Sequence, residues 1–87
     1  MVYVVVVYDV QADRTHRFLK FLRQYLTHVQ NSVFEGDVTE GDIETIKHRL
    51  KSMLEADESV IVYRMSSGKY VDRTVYGEDP AEDDQFL

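Results

Sequence analysis

Asp9 is the residue whose setting most suggests chemistry. It is the first charged side chain in the chain and it closes Val2–Tyr8, an unbroken run of β-branched and aromatic residues. Such residues fit a pleated strand. The lack of polar alternation predicts a central strand covered on both faces. A carboxylate at the end of a buried strand, just before a helix, stands where an open sheet usually presents its chemistry. It suits a hard cation, which binds through one or two carboxylates plus waters and substrate oxygens. Such a cation neutralises phosphate oxygens and lowers the pKa of an attacking water. The competing role for Asp9 is a cap on the helix that follows. Arg14 and Arg17 come next, and either could grip a phosphate with two parallel hydrogen bonds or belong to a solvated helix face. Lys20 and Arg23 extend the basic stripe.

The elements that must position these groups follow from hydrophobic periodicity. Phe18, Leu22, Tyr25 and Leu26 recur at helical spacing, with Leu19 and Phe21 widening the stripe, and predict a helix over about 12–26. His28–Val38 reads as extended chain, either two short strands or one bent one, because Asn31-Ser32 and Gly36 signal turns or a bulge. Thr39-Glu40-Gly41-Asp42 is a variant capping box. With Ile43, Ile46, Leu50, Met53 and Leu54 on one face it predicts a second helix over about 40–55. Ser59–Met65 reads as a strand, Ser66–Lys69 as a turn and Tyr70–Tyr76 as a half-buried strand.

This order predicts an α+β fold, a ferredoxin-like βαββαβ antiparallel sheet with two helices on one face, plus an extra C-terminal strand. Two helices cover one face only, yet Val2–Tyr8 is apolar on both, and so is most of Val60–Met65. A homodimer through the uncovered faces resolves this, with Tyr70–Tyr76 expected to be able to pair with the partner's sheet edge.

The 87 residues make one domain with a modest core. Residues 1–77 are expected to form the ferredoxin-like domain and 78–87 an acidic tail closing on Phe86-Leu87. The net charge of −6 is concentrated there: residues 1–77 hold ten basic and eleven acidic side chains, a net of −1. A near-neutral body with clustered Arg leaves nucleic acid open as a partner. No cysteine is present, so disulfides and thiolate metal sites are excluded. No stretch is long and apolar enough to span a membrane and no basic leader precedes the first strand, so a cytoplasmic location is expected, with no membrane contact.

Val-Val-Tyr-Asp at 6–9, Arg14 and Arg17 early in a helix, and Val-Gln-Asn-Ser-Val-Phe-Glu-Gly at 29–36 resemble CRISPR-associated protein 2 over about residues 1–77. The resemblance implies a small endonuclease of CRISPR adaptation (spacer acquisition), dependent on Mg²⁺ or Mn²⁺ and acting on phosphodiester bonds of RNA or DNA. It implies a homodimer with facing sheets whose final strand crosses to the partner. Asp9 would then be catalytic and metal-binding, given once by each chain near the axis. Arg14, Arg17 and His28 would contact nucleic acid, with Tyr8, Ser32 and Phe34 in support. His28 stands where the family often has Arg or Lys. His16 and His48 read as surface residues. Phe34 also reads as core or interface, and Tyr8 as core.

Two further readings follow. The dimer could be a non-catalytic scaffold that bridges copies of the CRISPR integrase (CRISPR-associated protein 1) and binds duplex DNA. Alternatively, the fold could serve as a toxin-type ribonuclease or a ligand-binding regulatory domain, since fold alone does not fix function.

Overall fold

A computed structural model of the chain describes residues 1–66 and 70–77. The turn expected around Ser67–Lys69 and the acidic tail at 78–87 lie outside the described residues. The chain runs β1 (Val2–Asp9), a 3₁₀ turn (Ala12–Arg14), α1 (Thr15–Leu22), β2 (Thr27–Gln30), β3 (Val33–Val38), α2 (Glu40–Met53), β4 (Ser59–Ser66) and β5 (Tyr70–Gly77). The strands form one antiparallel sheet in the order β2-β3-β1-β4-β5. The two-helix, antiparallel α+β architecture is as expected, with the valine run as its central strand.

The local boundaries have physical causes. α2 opens on a complete capping box, in which the Asp42 N–H donates to Thr39 Oγ1 at 3.0 Å and the Thr39 N–H donates back to the Asp42 carboxylate. The single helix expected over 12–26 is shorter. It begins as a 3₁₀ turn and its α-helical part stops at Leu22, where Gln24 and Tyr25 donate to carbonyls three residues back, tightening the last turn. The ambiguous 28–38 stretch is two strands, joined through Asn31 at φ +43°, a left-handed conformation that Asn tolerates.

Strand β1 alternates in burial although it does not alternate in polarity. Val2, Val4, Val6 and Tyr8 are buried against Phe18, Leu22, Ile43, Ile46 and Leu50 of the helices. Tyr3, Val5 and Val7 on the other face are only half-buried, and Asp9 is exposed. Within one chain, then, β1 is covered on one side, not both. The ladders extend that bare face: Val7 faces Val33 and Ile61, Val5 faces Tyr63, and Tyr3 faces Met65. Glu35 and Asp37 stand beside Val5 and Tyr3 on the β3 side. The Glu35 carboxylate is the main cause that raises the Tyr3 hydroxyl's pKa above the ordinary phenol value.

Strand β5 pairs along its whole length with β4 of its own chain, from Ser59↔Gly77 to Ser66↔Tyr70, and stands at the edge of the sheet. Only three residues separate β4 from β5, so the loop-closure cost of this pairing is small.

Candidate active site and its supporting clamp

Asp9 ends β1, on the bare face, opposite Ser59 at the start of β4. Its carboxylate is exposed and makes no ion pair or side-chain hydrogen bond among the described residues. The competing capping role is not what the structure has, since the 3₁₀ turn starts after Gln11 and no side chain caps it. A free carboxylate at the rim of an apolar sheet face is available as a ligand. Among the described residues, however, no three His, Asp or Glu side chains gather closely enough to hold a metal. One chain therefore brings one candidate ligand, and a second carboxylate beside it would hold a hard cation more firmly.

The supporting residues separate into two groups. Ser32 lies beside the Asp9 end: its carbonyl accepts the Tyr8 N–H at 3.1 Å, continuing the β1–β3 pairing past Val7↔Val33. Tyr8 and Phe34 point to the helix side, away from Asp9, as strand geometry requires of alternate residues. Tyr8 stacks between Phe18 and Phe34, with ring centroids at 5.4 and 6.2 Å. Its hydroxyl is buried without a hydrogen-bond partner among the described residues, and burial raises its pKa. Phe34 is fully buried core. His28 stacks on Phe34 at 4.7 Å and its Nε2 lies 2.7 Å from the Asn31 carbonyl oxygen, so the ring braces the β2–β3 turn.

Arg14 is a correction. Its guanidinium does not face outward to meet a phosphate. Nε lies 2.7 Å and Nη2 3.0 Å from the two oxygens of Glu58, and Nη2 also donates to the Met53 carbonyl. Glu55 adds an ion pair at 3.2 Å, and the group rides over the Phe18 ring. The physical reason is Glu58 itself, whose side chain is 0% exposed and whose charge cannot be buried without a partner. The two-pronged geometry expected of Arg14 is present, but its carboxylate is internal.

Glu58 is the residue that sequence reasoning missed. Besides Arg14 it accepts the N–H of Gln11 at 3.2 Å and of Glu55 at 3.0 Å. The Arg14 guanidinium holds the carboxyl below the ordinary carboxylate value, against the opposing effect of burial, with the Glu55 and Gln11 N–H groups helping. The available signal was a second acid at a strand end, directly before Ser59. Its partner lies 44 residues away, which no local pattern reveals.

Arg17 remains outside this knot. It is exposed and lines a cleft between α1 and α2 with His16, Lys20, Phe21, Gln24, Arg49 and Met53. The Arg49 guanidinium sits over the Phe21 ring at 5.1 Å. Three permanent cations and a histidine thus share a groove on the helix side of the sheet, the side opposite Asp9.

Comparison with known proteins decides the family. Residues 1–73 match the family model described as CRISPR associated protein Cas2. The chain belongs to the Cas2 family. It is 45% identical over 78 residues to a protein of Archaeoglobus fulgidus named CRISPR-associated endoribonuclease Cas2 2, covering 88% of this chain and 85% of that one. A Dictyoglomus turgidum protein named CRISPR-associated endoribonuclease Cas2 is 38% identical over 86 residues, covering 98% and 99%. Among solved structures, one titled crystal structure of cas2 superposes with a TM-score of 0.73 at 36% identity, over 99% of this chain and 98% of that one. The Cas2 match spans β1 to the first half of β5, so Asp9, the Arg14–Glu58 pair and the basic groove all fall within it. No helix among the described residues is long and apolar enough to cross a membrane.

Proposed function

We propose that this Cas2 protein is a dimeric, metal-dependent endonuclease of CRISPR adaptation, cleaving phosphodiester bonds, with RNA the first substrate to test because its relatives are named endoribonucleases. The observation that carries the reading is Asp9: an uncommitted carboxylate at the rim of an apolar face that one chain leaves uncovered. A second copy on that face removes Tyr3, Val5, Val7 and Tyr63 from water and brings in a second Asp9. The two Asp9 carboxylates would hold Mg²⁺ or Mn²⁺, whose chemistry there would be to neutralise phosphate oxygens and lower the pKa of a water.

The chain's own residues do the rest. Asp9 supplies the ligand oxygens, Ser32 holds the neighbouring backbone in the ladder, and the apolar face excludes water around the axis. Arg17, with His16, Lys20 and Arg49, attracts backbone phosphates to the helix side. Cleavage of single-stranded RNA and duplex DNA in Mg²⁺, wild type against Asp9→Ala, tests the assignment. Loss of cleavage is expected, and activity that survives the substitution rejects it.

A second reading has its own support. The basic groove lies on the opposite side of the sheet from Asp9, so nucleic acid can be held without reaching the carboxylate. That suits a scaffold that binds duplex DNA and bridges copies of the CRISPR integrase (CRISPR-associated protein 1). Spacer acquisition that tolerates Asp9→Ala but not loss of the groove's charges would favour it.

A further inference from the structure

Glu58 accepts four hydrogen bonds from two segments of the chain. Its two oxygens accept from Arg14 Nε, Arg14 Nη2, the Gln11 N–H and the Glu55 N–H. These donors belong to the segments that leave the same end of the sheet: 10–14 after β1 and 54–58 before β4. Asp9 and Ser59 pair there, and Glu58 directly precedes Ser59. Gln11 is two residues past Asp9. The turn carrying Asp9 out of the sheet is therefore held on one side by the ladder and on the other by Glu58. A buried ion pair is an expensive tie, and a well-packed apolar contact often stabilises as much. What the charged clamp adds is direction, because an Arg–carboxylate fork and two backbone donors fix angles as well as distance.

We propose that Glu58, through Arg14 and the Gln11 N–H, is a positioning residue that sets the direction in which the Asp9 carboxylate leaves the sheet. The inference rests on the reading of Asp9 as the catalytic ligand. Glu58 faces the helix side and does not itself meet substrate. Misplacing a reacting group by a fraction of its working distance costs rate without weakening substrate binding.

The test uses the full chain with single-stranded RNA and Mg²⁺, below the melting temperature of each variant. Wild type, Asp9→Ala, Glu58→Gln and Arg14→Lys are compared in kcat, in KM and in amide hydrogen exchange at Gln11. Arg14→Lys keeps the charge but loses the fork, so it reports on the clamp if Glu58→Gln folds poorly. In both clamp variants kcat is expected to fall roughly ten- to a hundredfold, with KM within about twofold. Gln11 exchange should accelerate about tenfold or more while exchange in Val4–Val6 is unchanged. A folded clamp variant with wild-type kcat overturns the proposal, as does a loss of rate that tracks only the unfolded fraction. Equal rates for wild type and Asp9→Ala would instead remove the Asp9 reading, and the positioning role with it.

Discussion

Arg14 Nε and Glu58 Oε2 meet at 2.7 Å across 44 residues of sequence, where the Glu58 side chain is sealed from solvent. This pair joins the segment after β1 to the segment before β4 at the Asp9 end of the sheet. Its energetics can be read from pH. The Arg14 hydrogen bond, first among the causes, places the folded-state pKa of Glu58 below the ordinary value of 4.5. Its contribution is therefore complete above that value and fades as pH falls through the lower, folded pKa. Glu58→Gln should melt roughly 10 °C below wild type at neutral pH. The two melting temperatures should converge in acid, below the ordinary carboxylate range. A gap that stays constant down to acid pH would contradict the assignment.

The bare sheet face makes a prediction about assembly. Val5 sits in its middle, between Glu35 and Tyr63, and is only half-buried in one chain. Val5→Glu should leave the monomer folded, because that position is not part of the core that packs on the helices. It should abolish the dimer, since an unpaired carboxylate in an apolar interface costs several kcal/mol. Sedimentation checks this: a wild-type dimer and a variant monomer are expected, and identical sedimentation of the two would exclude the face as the interface.

The groove between α1 and α2 predicts a salt signature. Reversing charge with Arg17→Glu and Arg49→Glu together should weaken nucleic-acid binding about tenfold or more at low salt. It should also flatten the dependence of log affinity on log salt by roughly one to two units. Fluorescence anisotropy across a salt series measures both. Unchanged affinity and slope would make the groove a solvated surface.

Gly77 closes β5 against the clamp. Its φ is +92°, and a Cβ there would stand 2.1 Å from the Glu58 carbonyl oxygen. Gly77→Ala should cost roughly 1–3 kcal/mol through strain and collision, read as a lowered denaturant midpoint. Wild-type stability in this variant would mean that β5 does not press on Glu58 as described.

Much of the fold was legible because its signals are local. The valine run, the Thr39–Asp42 box and the apolar spacing of α2 each specify an element within a few residues, and Tyr70–Tyr76 alternates as a strand should. Helix α1 was overestimated because Tyr25 and Leu26 continue the apolar stripe after the backbone has turned. Both pack on the core from outside the helix. The one-sided burial of β1 was hidden because valine looks the same whether it meets a helix or open solvent. At the site, Asp9 and Ser32 stand together at one end of the sheet, while Tyr8 and Phe34 went to the core by strand parity. Arg14 looked like a phosphate ligand because sequence shows a guanidinium but not the carboxylate that folding delivers to it.

If two copies of Asp9 share one cation, counting Mn²⁺ bound to the full chain by electron paramagnetic resonance should give one tightly bound ion per two chains in wild type and none in Asp9→Ala. One ion per chain, or binding indifferent to the substitution, would contradict it.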